Sequence, residues 1–111
     1  MKYPNHPNQD RIALSTLLAA LGDPTRLAIV KQLDHLGERS CGSFGLPISN
    51  STLTHHLKAL REAGAIMTRI QGTKRFVSLR REDLEMRFPG LLPAILNAPR
   101  KAQVPQTASN L

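Results

Sequence analysis

The stretch Asn50-Ser51-Thr52-Leu53-Thr54-His55-His56-Leu57-Lys58 gathers an amide, several hydroxyls, two imidazoles and an ammonium within a few helical turns. Leu53, Leu57 and Leu60 recur at helical spacing. With those leucines on the inner face, at about 100° per residue, Ser51, His55 and Lys58 lie opposite and Thr54 on one flank. Small hydroxylated side chains such as Ser51, Thr52 and Thr54 let a backbone approach its ligand closely and hydrogen-bond base edges or phosphates. Asn50 suits an adenine edge or, alternatively, support of the helix cap, and Lys58 suits a phosphate better than a base. The pattern is that of a helix offered to a duplex groove. His55 and His56 are adjacent, so their rings point about 100° apart and cannot chelate one metal ion together. His55 faces outward, to contact DNA or simply to meet water, whereas His56 reads as a half-buried packing residue beside Leu53 and Leu60.

A second basic group, Arg69, Lys74 and Arg75, brackets Gly72. Basic side chains at a hairpin tip can enter a minor groove or grip phosphates; the alternative is a charged edge strand kept in water. Arg61 and Glu62 read as surface residues. Arg26 follows a helix cap, where it can reach a phosphate or cover the helix.

Cys41 is the single cysteine, which excludes an intramolecular disulfide and fits a reducing compartment. It reads as a small buried hydrophobe or, at the start of a short helix, as a thiol of lowered pKa acting as a redox switch. His6, His35, His55 and His56 have no common ligand spacing, so no metal and no cofactor are expected. There is no glycine-rich phosphate loop, and no nucleophile with a base and an orienting group, so the chain does not read as an enzyme.

These side chains need a scaffold. Residues 1–10 carry Pro4 and Pro7 and read as a flexible arm. Ile12, Leu14, Leu17, Leu18 and Leu21 predict a first helix from Arg11, stopped by Gly22. Asp23-Pro24 opens a second helix as N-cap and first helical residue, with Leu27, Val30, Leu33 and Leu36 on its apolar face and Gly37 as its stop. A brief helix over Ser40 to Phe44 leads, after Ser49 as N-cap, to the helix over 49–63 that ends at Gly64. Ile66 to Gln71 and Lys74 to Leu79 are short β-rich runs around Gly72-Thr73, a two-residue hairpin signal. Arg81 begins another short helix, interrupted by Pro89 and Gly90. The uncharged stretch Leu91 to Leu96 follows, and residues 97–111 read as a disordered tail.

The chain has 111 residues, of which 41% are hydrophobic, enough for one domain. Aromatics are limited to Tyr3, Phe44, Phe76 and Phe88, so Leu, Ile, Val and Ala must form the core. Fifteen basic against eight acidic side chains leave a net charge of +7, which points to a polyanionic partner. No apolar run approaches the roughly 18 residues of a membrane span, so the polyanion is not expected to be a membrane. The polar, proline-broken start lacks a signal pattern and, with the lone cysteine, points to the cytoplasm.

Leu21-Gly22-Asp23-Pro24-Thr25-Arg26-Leu27-Ala28-Ile29 resembles the second-helix opening of the ArsR/SmtB repressors. Ser51 to Gly64 resembles their recognition helix, and Gln71 to Leu79 their wing; the three matches stand in the family's order over roughly residues 11–96. The resemblance implies a mainly α fold with a small β-hairpin (α+β), a winged helix-turn-helix of order α-α-α-α-β-β-α. The domain then spans 11–96, between the arm at 1–10 and the tail at 97–111. It also implies a homodimer on an imperfect palindrome of double-stranded DNA, and repression released by an inducer of unknown chemistry. Some relatives carry a Cys-x-Cys pair where Cys41 is followed by Gly42 and Ser43, so the family's metal site is not expected here. Leu14, Leu17, Leu18, Leu91, Leu92 and Ile95 are the expected dimer interface. The competing reading is a winged-helix module that binds protein without reading DNA.

Overall fold

The computed structural model describes residues 3–99. A 3-10 turn at Gln9–Arg11 precedes α1 (Leu14–Leu21) and α2 (Pro24–Leu36). Strand β1 (Arg39–Ser40) and a 3-10 turn at Cys41–Ser43 lead to α3 (Asn50–Glu62), and β2 (Ile66–Gln71) and β3 (Lys74–Leu79) form the wing. Helices α4 (Arg81–Arg87) and α5 (Leu91–Leu96) follow the wing. The expected order needs three amendments: β1 was not foreseen, the short helix after it is a single 3-10 turn, and two helices rather than one follow the wing.

The strands form an antiparallel sheet in the order β1-β3-β2. Arg39 and Ser40 of β1 pair with Val77 and Phe76, while Gln71 opposite Lys74 leaves the two-residue turn at Gly72-Thr73. Gly72 has φ 62°, the positive value that a tight hairpin requires at its first central position. Strand β1 is too short for alternation to reveal it. Arg39 holds it by donating from Nε to Ser43 Oγ (3.1 Å) and from its terminal nitrogen to the Ser43 carbonyl (2.6 Å).

One core joins all the helices to the sheet. Ile29, Val30 and Leu33 of α2, Leu57 and Leu60 of α3, Ile66 of β2 and Val77 of β3 are buried in it. Leu36, expected on the apolar face of α2, is exposed, and Ile29 takes its place inside. Leu17 and Leu92 are 1% and 4% exposed, within this same core. Their assignment to a dimer interface is therefore corrected: burial inside the protomer leaves them no surface to present.

Asp23 caps α2 by accepting from the Arg26 backbone N–H at 3.0 Å, and Ser49 caps α3 by accepting from Thr52 N–H at 3.2 Å. The far end of α3 is closed by paired bonds, Ala65 N–H to the Leu60 carbonyl and Gly64 N–H to the Arg61 carbonyl. This is the crossed pattern of a helix ended by a left-handed residue. Gly64 has φ 86°, and a Cβ there would lie 2.6 Å from the Ile12 side chain. Only glycine meets both conditions.

The described part of the expected arm, residues 3–10, makes contacts with the domain. His6 Nε2 accepts from the backbone N–H of Thr68 (2.9 Å), and the Pro7 carbonyl accepts from the buried Arg80 (2.7 Å). Arg87 donates to the Ile12 carbonyl at 3.1 Å. The arm thus covers the free edge of β2, and α1 starts only at Leu14. At the other end Asn97 N–H bonds the Pro93 carbonyl, so the helix closes within the segment expected to be tail. The rest of that expectation, residues 100–111, and the arm's residues 1–2 lie outside the described residues.

Candidate nucleic-acid interface

Helix α3 divides its side chains sharply. Leu57 and Leu60 are buried and Leu53 half-buried, while Asn50, Ser51, Thr52, Thr54, His55 and Lys58 are exposed. Three hydroxyls form a local network at its start. Ser49 Oγ donates to Thr52 Oγ1 at 2.9 Å and lies 3.1 Å from Ser51 Oγ. The cap therefore pre-orients Ser51 and Thr52, which keeps two small polar side chains ordered at the exposed end of the helix.

The two adjacent histidines take different roles. His55 is exposed, whereas the His56 side chain is 14% exposed. His56 Nδ1 accepts from Arg26 Nε at 3.2 Å. Arg26 also donates to the Ala20 carbonyl at 3.1 Å, and its own N–H is held by Asp23. Of the two roles open to Arg26 from the sequence, the structure shows an internal clamp: one guanidinium ties the end of α1 and the start of α2 to the inner side of α3. Sequence reading placed Arg26 and His56 correctly on their helices but did not join them, because they are thirty positions apart.

The wing also divides its charges. Lys74 and Arg75 are exposed at the tip. Arg69 is not free in the same way. Its guanidinium binds both carboxylate oxygens of Glu38, at 2.9 and 2.7 Å, and lies 4.3 Å over the centre of the Phe76 ring. The Arg69 hydrogen bond holds the Glu38 carboxyl below its ordinary pKa, so the pair is ionised. The expectation that Arg69 offers its charge to DNA meets a competitor: Glu38 pairs with it, and the pair braces the wing against the end of α2. Glu38 carries no signal of this partnership in the sequence, since the contact crosses 31 positions.

Between α3 and the wing opens a cavity of about 670 Å³, walled by residues that include Cys41, Thr54, Lys58 and Arg61. Burial raises the Cys41 thiol above its ordinary pKa, with nearby Arg75 opposing the shift. The thiol is thus a neutral S–H at neutral pH, which weakens the redox-switch reading and supports packing. Among the described residues no group of three His, Cys, Asp or Glu side chains converges to hold a metal ion. Cys41 with its neighbours Gly42 and Ser43 does not supply the donors that a soft-metal site needs. No helix of the described residues is long and apolar enough to cross a membrane.

Comparison with known proteins agrees with this geometry. Residues 21–69 match a helix-turn-helix domain family. The chain is 39% identical over 82 residues to the HTH-type transcriptional regulator YceK of Bacillus subtilis, covering 71% of this chain and 82% of that protein. It is 35% identical over 79 residues to an arsenical resistance operon repressor of Staphylococcus xylosus, covering 65% and 70% of the two chains. Among solved structures, a possible transcriptional regulator for arsenical resistance superposes with a TM-score of 0.60 at 27% identity, over 78% of this chain and 88% of the other. An ArsR family transcriptional regulator shares the fold with a TM-score of 0.63 at 24% identity, over 78% and 92%. An exposed polar helix, a charged wing and these relatives converge: the chain belongs to the ArsR/SmtB-type winged helix-turn-helix family of DNA-binding transcriptional regulators.

Proposed function

We propose that the protein is a non-enzymatic, cytoplasmic repressor that binds an imperfect palindrome as a homodimer, with α3 in the major groove and the wing on the flanking backbone. The observation that carries this reading is the division of α3, which hides its leucines and exposes Asn50, Ser51, Thr52, Thr54, His55 and Lys58. In this reading Ser51, Thr54 and His55 meet base edges, and Asn50 reaches an adenine. Thr52 and Lys58 hold phosphates, as do Lys74 and Arg75 at the wing tip.

A single such helix contacts few base pairs, and two-fold pairing doubles the number. The dimer surface in this reading is the outer side of α1 with part of α5. Leu14 and Leu18, four positions apart on α1, are 45% and 43% exposed. Leu91 and Ile95 of α5 are half-buried, and Leu18, Leu27 and Ile95 line a largely apolar groove. Water contact at such a surface is unfavourable, and a second copy removes it.

The test is selection of bound duplexes from a random pool, followed by sedimentation of the protein alone and with the winning duplex. A selected site with two related half-sites about one helical turn apart, bound by two chains, is the expected result. Recovery of unrelated sequences, or a monomer on a single half-site, refutes it. Leu18→Glu should yield a monomer that still folds.

A further inference from the structure

We propose that the cavity between α3 and the wing is an effector site for a small organic carboxylate with an apolar body, whose binding competes with DNA. The proposal rests on the reading of α3 and the wing as the DNA-binding face. The cavity, about 670 Å³, is of the size that holds a small ligand. Its walls combine two chemistries. Leu53 and Leu57 supply an apolar floor, and Lys58, Arg61 and Arg75 bring three cations around it. No acidic side chain is among the lining residues. Neighbouring cations elsewhere in the molecule have carboxylate partners: Arg69 has Glu38, and Arg80 has Asp83.

Arg61 is the sharpest pointer. Its Nε is buried, yet has no hydrogen-bond partner among the described residues. A buried guanidinium N–H without an acceptor is costly, and once the side chain turns toward the cavity a carboxylate receives it together with a terminal N–H in a two-pronged pair. An inorganic anion would satisfy the cations and leave Leu53 and Leu57 unmatched. An uncharged apolar molecule would do the reverse. A carboxylate carrying a hydrocarbon body satisfies both. Cys41, protonated at neutral pH, contributes a neutral wall and does not cancel the positive charge.

Competition with DNA follows from shared residues. Lys58 and Arg75 line the cavity and are also assigned to phosphates above. A bound carboxylate brings one negative charge between them and occupies the space that a phosphate would take, so fewer DNA counterions are released on binding. DNA affinity then falls by about tenfold or more, and the salt dependence loses about one in slope per protomer.

Octanoate, titrated calorimetrically into the full chain at fixed ionic strength, is the probe. Saturable binding with one octanoate per chain is expected. Arg61→Met removes the fork and keeps the stem, and should weaken octanoate about tenfold or more. Gly42 lines the cavity, and a Cβ there meets no atom within 4 Å, so Gly42→Leu starts in open space and should narrow the opening. It should weaken octanoate similarly. Neither residue is assigned to DNA, so both variants should hold the selected duplex within about threefold of the parent. Circular dichroism confirms that each variant is folded. The proposal is overturned by absence of saturable octanoate binding. It is equally overturned if both folded variants bind octanoate as the parent does, or if sodium phosphate at equal ionic strength displaces it as well as octanoate itself. Octanoate binding that follows the variants in a chain that selects no duplex upholds the pocket and refutes the DNA reading instead.

Discussion

Helix α3 and the wing flank the same cavity and both carry cations, but they are held in place by different means. The helix is fixed from within, by Leu57 and Leu60 in the core, by the Arg26–His56 bond, and by a closure at Gly64 that Ile12 packs against. Its outer face is mostly uncharged: hydroxyls, an amide and an imidazole, with Lys58 as its one outward cation. The wing is fixed from one edge by β1 and by the Arg69–Glu38 pair, while its tip projects with Lys74 and Arg75. A rigid, hydroxyl-rich face suits discrimination between bases, which depends on short directional bonds. A projecting charged tip suits affinity, which needs only proximity to phosphate. In the proposed reading, the contrast gives specificity to the helix and grip to the wing.

The strongest test of that contrast compares two glycines. Gly64→Ala should lower stability by about 2–4 kcal/mol, combining left-handed strain with overlap on Ile12. Gly72→Ala should cost only about 1 kcal/mol, since a Cβ there meets nothing within 4 Å. Urea unfolding of the two variants measures the difference, and equal losses would deny that the helix is the more tightly seated.

Next in size, His55→Ala should change preference at one position of each half-site by about 1–3 kcal/mol. Lys74→Ala with Arg75→Ala should weaken all duplexes alike and reduce the salt slope by about two per protomer. Competition binding against single-base operator variants, repeated across salt concentrations, separates these results. A wing variant that alters base preference would erase the division.

A smaller effect is expected at the brace. Glu38→Gln releases Arg69, so the salt slope should steepen by up to about one per protomer. An unchanged slope would place Arg69 out of reach of DNA even when free.

The smallest effect concerns the arm. His6 accepts a hydrogen bond from Thr68 N–H, which requires a neutral ring. Burial lowers its pKa from the ordinary 6.5, and the charges of Arg61 and Arg80 act in the same direction. The unfolded chain therefore takes up the proton first. Stability from this contact is complete above about pH 6.5 and is lost as pH falls through the lower folded value. Urea unfolding at pH 7.5 and 5 should show a small acid loss that disappears in His6→Ala. A loss that persists in the variant would have another origin.

Local signals in the sequence located most of the scaffold. Asp23, Ser49 and Gly64 act within a few residues of the ends they close, so α2 and α3 are readable from the chain alone. Gly72-Thr73 likewise sets the wing register through its own backbone preference. The exposed face of α3 follows from helical periodicity, since burying Leu57 and Leu60 leaves the opposite side chains outside.

What periodicity does not reach is any choice made between distant segments. Leu14, Leu17 and Leu18 are the same residue type on one short helix, yet only Leu17 is inside, because the neighbouring helices decide which side of α1 is covered. Glu38 selected Arg69 and left Lys74 and Arg75 free, and Arg26 turned to His56 instead of outward. Strand β1 exists only because β3 lies beside it. Caps, turns and apolar repeats are short-range and are written in consecutive residues. Charge partners, cavity walls and the inward face of an apolar helix depend on which segments meet, and only the folded chain settles that.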